Sequence, residues 1–174
     1  MNKFEALYLA SKDAIMTLEP PDWKFTAGNP STISMFGAKD EDDFTSRAPW
    51  NYSPEFQSNG ESSNDAAKEV VMKAMKEGTA FFEWTHKRLN GEEFPATVLL
   101  TKTTVDGKDF LQATVRDISK LKKAEQNLTD KIVELEKFQQ LTTERELKMI
   151  ELKNELHQLR EDAGIPAPTT TEPR

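Results

Sequence analysis

The stretch FEWTHKRLNGEEFPATVLLT, from Phe82 to Thr101, contains the strongest structural signal in this sequence. Asn90-Gly91 stands between two segments rich in β-branched and aromatic residues, which is the pattern of two strands joined by a tight β-hairpin turn. Asp106-Gly107 repeats that signal, and Lys108 to Arg116 follows as a further strand. Together these segments predict an antiparallel meander of three strands.

A second strand pair is predicted upstream, in AIMTLEPPDWKFTAGNPSTISMFG (residues 14–37). Ala14 to Leu18 has the composition of a buried strand that ends at a Pro-Pro turn, and Trp23 to Thr26 alternates apolar and polar residues. Asn29 is a favourable helix cap and Pro30 suits a first helical position, so a short helix is expected to begin there.

The region between the two strand pairs is predicted to be a polar loop followed by a helix. Residues 46–62 hold three aromatic residues, Trp50, Tyr52 and Phe56, which we expect to lie over the core. A helix is expected from Ser63 to Glu77, with Gly78 as its stop signal. This order of elements predicts an α+β fold, a five-stranded antiparallel sheet with short helices on one face.

Three of these segments resemble the PAS domain family. Residues 82–101 carry an apolar–polar–Arg–x–Asn–Gly–x–x–Phe pattern similar to a PAS hairpin, and residues 14–37 resemble the opening strand pair, with Asn29 at the usual place. VRDIS (residues 115–119) is similar to the motif that joins the last PAS strand to an output helix. The resemblance covers about residues 5–119 and implies a sensor domain of the kind found in bacterial sensor kinases and chemoreceptors.

The resemblance also implies a cavity between the sheet and the long helix, which some PAS domains fill with haem, flavin or a small metabolite. A closed core built from the same side chains remains an equal alternative. The sequence identifies no cofactor: a flavin–cysteine adduct needs a cysteine that the chain lacks, and residues 63–77 offer no histidine to haem. The expected pocket residues are Asn29, Trp50, Tyr52, Phe82, Trp84, Val98, Leu100, Leu111 and Ala113.

From Lys120 onward the sequence changes to a heptad pattern. Apolar residues recur at intervals of three and four over more than five heptads, with polar interruptions at Lys131, Thr142 and Arg145. Such a pattern predicts a coiled coil and hence a parallel homodimer. We expect a domain at residues 1–119, a coiled-coil output helix at 120–163 and a disordered tail at 164–174. The predicted dimer seam consists of Leu121, Leu128, Leu135, Phe138, Met149, Leu152, Leu156 and Leu159.

Composition and motifs exclude several function classes. The absence of cysteine removes disulfides, thiolate metal sites and thiol catalysis, and a net charge of -7 disfavours nucleic-acid binding. No apolar run approaches the roughly 20 residues that span a bilayer, so a cytoplasmic protein without membrane contact is expected. His86 is interpreted as an ordinary strand residue and His157 as an exposed helix residue, and no catalytic motif suggests an enzyme.

Two function classes therefore remain open. In the first, a small-molecule or redox cue is sensed by the domain and passed through the junction of Asp117, Ile118 and Ser119 to the helix. That helix would act in trans on a helical partner of a two-component system, such as a histidine kinase or chemoreceptor. Leu147 and Ile150 lie outside the seam and are the predicted partner face. In the second class, the chain is a constitutive dimerisation scaffold without a ligand.

Overall fold

The structure is a computed structural model that describes residues 2–164. The chain divides into two units, one that ends at Lys122 and one that begins at Lys123. Of the tail predicted to be disordered, residues 165–174 lie outside the described residues.

The first unit contains five strands and four helices ahead of the long helix. Their order along the chain is α1 (Lys3–Ala10), β1 (Ala14–Glu19), β2 (Lys24–Gly28), α2 (Pro30–Phe36), α3 (Glu41–Thr45), a 3-10 turn (Pro49–Tyr52), α4 (Ser63–Glu77), β3 (Thr79–Lys87), β4 (Glu93–Val105) and β5 (Lys108–Asp117).

The five strands form one antiparallel sheet in the order β2-β1-β5-β4-β3. Asn90-Gly91 lies in the connection between β3 and β4, and Asp106-Gly107 forms a two-residue turn between β4 and β5. Asp106 and Gly107 both have positive φ, 51° and 75°, which the type I′ hairpin turn requires at both central positions. The predicted α+β fold with a five-stranded antiparallel sheet is confirmed.

The hydrophobic core lies between one face of the sheet and the helices. Inner-face residues such as Met16, Leu111 and Val115 are almost completely buried, which stabilises the fold by about 1.5–3 kcal/mol for each large apolar side chain. On the opposite face Phe81 is 71% exposed. α4 packs on β3, β4 and β5, whereas α2 and α3 pack on β1 and β2.

The aromatic residues of the loop differ from expectation. Tyr52 is buried and packs on Phe25, Phe36 and Phe44, with ring centroids 4.9 to 5.9 Å away. Trp50 and Phe56, however, are 57% and 56% exposed. The 3-10 turn at Pro49–Tyr52 accounts for Trp50, because it buries Tyr52 and leaves Trp50, two residues earlier, at the surface.

The long helix α5 runs from Ser119 to Asp162. Within this range no residue is buried, and the apolar side chains of the predicted seam are exposed in the single chain. Among the described residues, no helix combines the length and the apolar character that crossing a membrane requires.

Candidate functional site

A cavity of about 120 Å³ lies between α4 and the inner face of the sheet. The lining is dominated by carbon atoms from β1, β3, β4, β5 and α4. Six of the nine expected pocket residues line it, namely Trp50, Phe82, Trp84, Val98, Leu100 and Ala113. The lining also includes Met16, Leu18, Phe25, Pro49, Ser53, Ser63, Asn64, Ala67, Val70, Val71, His86 and Val115, which the sequence interpretation did not include.

Asn29 does not line the cavity, because its side chain is used entirely within the fold. Its Oδ1 accepts hydrogen bonds from the backbone nitrogens of Ile15 and Thr32 at 3.1 and 2.9 Å, and Nδ2 donates to the carbonyls of Tyr8 and Asp13. The side chain is fully buried. Asn29 therefore caps α2 and joins it to α1 and β1, which is a structural role.

Tyr52 and Leu111 also lie outside the cavity lining. The Tyr52 hydroxyl donates a 3.0 Å hydrogen bond to the Phe44 carbonyl, and burial raises the pKa of this hydroxyl to about 12. Leu111 is fully buried between its neighbours Leu18 on β1 and Lys102 on β4. Both residues fill the core beside the cavity.

The cavity reaches the surface near the start of α4. Trp50 and Asn64 both line the cavity and are exposed, and Pro49 beside them is half-buried. A small molecule could therefore enter between the 3-10 turn and α4 without separation of the sheet from the helices.

Among the polar residues of the lining, His86 differs in having one ring nitrogen that is bonded and one that is not. Its Nδ1 lies 3.0 Å from the backbone carbonyl oxygen of Tyr52, whereas its buried Nε2 has no hydrogen-bond partner among the described residues. Burial lowers the pKa of His86 to about 4, and the weaker opposing effect of the Tyr52 carbonyl does not restore it. The ring is therefore neutral at pH 7.

The sequence contained a signal for the inward position of His86, which was interpreted as an ordinary strand residue and lies in β3. Successive strand residues point to opposite faces, so His86 shares a face with Trp84 and Phe82. Both of those residues were expected in the pocket. A polar residue in such an inner row needs a partner, whether from the protein or from a ligand.

At the junction, Asp117 contacts both the sheet and the first residue of α5. Its Oδ1 accepts a 2.9 Å hydrogen bond from the Ser119 nitrogen, and its Oδ2 lies 2.6 Å from Nη2 of Arg88. Burial alone would raise the pKa of Asp117, but the hydrogen bonds from Ser119 and Arg88 outweigh it and hold the pKa below its usual value. Ile118 is buried, and its nitrogen donates to the Pro95 carbonyl on β4.

Arg88 belongs to this junction although the sequence did not assign it a role. It follows β3 directly, and its Nη1 donates to the Met35 carbonyl in α2. Its guanidinium also lies 3.9 Å from the centre of the Phe94 ring, a cation–π contact. Because Phe94 packs on His86 at 5.7 Å, the cavity lining and the junction are separated by a single aromatic ring.

Comparison with solved structures gives 201 matching chains. A PAS domain from a two-component sensor histidine kinase is 18% identical, with a TM-score of 0.53, and the match covers 66% of this chain and 94% of that one. The PAS domain of an HTR-like protein from Haloarcula marismortui is 25% identical, with a TM-score of 0.52 and coverages of 67% and 89%.

The fold is that of a PAS domain. A further PAS domain, from a LuxR-family transcriptional regulator of Burkholderia thailandensis, was solved in complex with ethanol. It is 15% identical, with a TM-score of 0.53, and the match covers 68% of this chain and 99% of that one. No family model matches the sequence, and no curated protein matches it significantly.

The part of the PAS unit that the structure describes offers no evident metal site. Within residues 2–164, no group of three or more His, Cys, Asp or Glu side chains is arranged to hold a metal ion.

The predicted partner face lies on α5. Leu147 and Ile150 are both more than half exposed, as are seam residues such as Leu128, Leu135 and Leu152. In the single chain, exposure therefore does not distinguish the partner face from the seam.

Proposed function

We propose that this protein is a non-catalytic, cytoplasmic sensor module in which a small molecule in the PAS cavity alters α5, and α5 then acts on a partner protein. The observation that carries the proposal is the arrangement of Asp117, which bonds Arg88 with one carboxylate oxygen and the first residue of α5 with the other. One side chain thus joins the end of β3 to the start of the output helix.

The input side of the proposal is the cavity. Its lining includes Ala113 and Val115 on β5, and β5 ends at Asp117. A ligand that displaces these residues changes the strand from which α5 emerges. The ethanol complex of the Burkholderia thailandensis PAS domain supports a small uncharged ligand in a fold of this kind.

The output side is α5. Its exposed apolar seam favours a parallel homodimer, because each buried Leu at an a or d position contributes about 1.5–3 kcal/mol. The relatives in a sensor histidine kinase and in an HTR-like protein support a helical signalling partner, such as a kinase or chemoreceptor. Leu147 and Ile150 are the residues proposed to contact that partner.

A second candidate function is constitutive dimerisation without a ligand. The observation that favours it is the long row of exposed apolar side chains on α5, which would pair the chains whether or not the cavity is occupied.

Native mass spectrometry of the freshly purified protein tests the proposed function. The sensor account predicts a species heavier than the polypeptide by the mass of one small molecule per chain, which is lost on denaturation. A visible spectrum recorded on the same sample detects any chromophore. Bare polypeptide in every preparation, with no small molecule that raises the melting temperature, would support the scaffold account.

A further inference from the structure

The cavity between α4 and the sheet has room for a molecule of a few heavy atoms. Its volume of about 120 Å³ is close to that of apolar cavities, about 150 Å³, that bind benzene. Pockets for drug-sized ligands are larger, at about 300–1,000 Å³. A molecule of the size of one six-membered ring therefore matches the space.

The walls formed by three strands of the sheet carry only apolar side chains among the described lining residues. β1, β4 and β5 contribute Met16, Leu18, Val98, Leu100, Ala113 and Val115. Each of these strands pairs with a neighbouring strand on both sides, so the sheet engages their backbone N–H and C=O groups. A ligand that contacts these walls therefore meets carbon and no hydrogen-bond partner.

His86 on β3 does not supply a hydrogen bond to the cavity either. Its Nδ1 is bonded to the Tyr52 carbonyl oxygen at 3.0 Å, and its Nε2 is buried too completely for even a water molecule to touch it. The imidazole packs on Phe36 and Phe94, at 5.2 and 5.7 Å, and neither of these residues lines the cavity. A bound molecule therefore contacts His86 only through the carbon part of its ring.

The other polar side chains of the lining are bonded within the protein or border the mouth. Nε1 of Trp84, the sole donor of that side chain, donates to Oγ of Ser53 at 3.0 Å, and Nε2 of Gln57 donates to Oγ of Ser63 at 2.7 Å. Ser53 directly follows the 3-10 turn, Ser63 begins α4, and Asn64 beside it is exposed. The remaining hydrogen-bonding capacity of the lining is therefore at the mouth, and the interior is apolar.

Water is a poor occupant of such an interior. An ordered buried water makes about three hydrogen bonds, and cavities lined by carbon stay dry. An apolar molecule, in contrast, gains free energy when its surface moves from water to a carbon lining.

We propose that the PAS cavity binds a small apolar molecule of about one ring in size, with no hydrogen-bonding group in the part that enters the interior. The inference deepens the proposed sensing function by naming the class of ligand, and it rests on that function. It predicts that the cavity selects against polar molecules of the same shape.

The probes are benzene and pyrazine, which have the same six-membered outline but differ in two ring nitrogens at opposite ends of pyrazine. In any orientation, at least one nitrogen of pyrazine faces the apolar interior and loses its hydrogen bonds to water. Benzene is therefore expected to bind at least about tenfold more tightly than pyrazine.

Methionine methyl groups report where each probe binds. The chain has six methionines, and of those that the structure describes Met16 is the one that lines the cavity. Met72 on α4 and Met149 on α5 are more than half exposed and serve as internal references. In methyl NMR spectra of the full chain with labelled methionine, the ring current of benzene should shift Met16 in a saturable manner and leave both references unmoved.

The matched variants are Ala67→Leu, which places extra carbon in the cavity, and Lys73→Leu, which alters an exposed position of the same helix. The benzene-induced shift of Met16 should be lost in Ala67→Leu and kept in Lys73→Leu.

Equal affinities for benzene and pyrazine, an unmoved Met16, or equal shifts at Met72 and Met149 would each overturn the inference, as would a Met16 shift that survives in Ala67→Leu. The wild-type titrations decide the matter even if that variant does not fold. The relay to α5 is tested by hydrogen exchange without any ligand, so failure here and failure of the proposed function are distinguishable.

Discussion

Asp117 is the residue at which the sheet and α5 meet, and its two carboxylate oxygens have separable roles. Asp117→Ala removes both the bond to the Ser119 nitrogen and the bond to Arg88. We expect the PAS unit to remain folded and the start of α5 to loosen by about 1 kcal/mol, the usual cost of a lost helix cap. Hydrogen exchange in residues 119–128 measures this loss.

Asp117→Asn is the matched control for that substitution. Its side-chain oxygen still accepts from Ser119, but the charge that pairs with Arg88 is gone. Protection in residues 119–128 should therefore stay closer to the wild type than in Asp117→Ala. Unchanged protection in Asp117→Ala would count against Asp117 as the link.

His86 gives stability a specific pH dependence. Its pKa is about 4 in the folded protein and about 6.5 when unfolded, so the unfolded chain binds more protons between these values. The contribution of neutral His86 to the free energy of unfolding is fully present above pH 6.5. As the pH falls toward 4 this contribution is lost, which lowers the free energy of unfolding by up to about 3 kcal/mol. Urea unfolding at pH 7 and pH 4.5 should show a larger loss for the wild type than for His86→Phe. Equal losses would contradict the buried, neutral state of His86.

At the residue scale, the sequence predicts roles that depend on neighbouring residues in the chain. It misses roles that depend on contacts between residues distant in sequence. Asn29 was recognised as a helix cap from its position before Pro30, because capping is local. Three further hydrogen-bond partners of its side chain, on Tyr8, Asp13 and Ile15, are distant in sequence, so its structural role could not be read from spacing. Arg88 was visible as part of a hairpin pattern, but its contact with Asp117 joins residues 29 apart and depends on the sheet register.

At the scale of elements, the central question is which face of α5 forms the proposed dimer. In the heptad register, Leu128 and Leu135 are seam positions, whereas Gln126 and Val133 lie on the outer face. Leu128→Glu with Leu135→Glu should dissociate the dimer, because two buried apolar side chains per helix become charged. Sedimentation equilibrium measures the change in association.

The matched control is Gln126→Glu with Val133→Glu, which alters the same stretch of α5 on the opposite face. It should stay dimeric. A monomer in both variants, or a dimer in both, would mean that the assigned register is wrong. A chain ending at Ser119 should likewise lose most of its self-association.

Leu147 and Ile150 are three residues apart and therefore neighbours on one face of α5. If they dock a partner's helix, Leu147→Glu with Ile150→Glu leaves the dimer intact and abolishes binding to a purified kinase or receptor helix bundle. If the register instead shifts near Thr142 and Arg145, these residues belong to the seam. Sedimentation would then show monomers, and the docking hypothesis would be wrong.

The elements themselves were well predicted, because most of their signals are local. Gly78 ends α4 with a positive φ of 88°, and the Asp106-Gly107 turn has the expected conformation. The order β2-β1-β5-β4-β3 did not follow from the turns alone, since β1 pairs with β5 across most of the domain. On α5, the exposed Ile132 and Leu141 fall outside the assigned a and d positions, so the heptad pattern alone does not fix one face.

At the scale of the whole molecule, the account claims that occupancy of the cavity changes the start of α5. Ala67 on α4 is a half-buried lining residue, and Ala67→Leu places extra carbon in the cavity in the manner of a bound molecule. Lys73→Leu makes the same helix more apolar at an exposed position and is the control. Neither substitution touches Arg88 or Asp117.

Hydrogen exchange of residues 119–128 in Ala67→Leu tests this claim most directly. The account predicts altered protection there, no change in Lys73→Leu, and loss of the response when Asp117→Ala is added to Ala67→Leu. A raised melting temperature in Ala67→Leu would verify that the cavity is filled. Protection of residues 119–128 identical to the wild type in that stabilised variant, with changes confined to α4 and the sheet, would contradict the account.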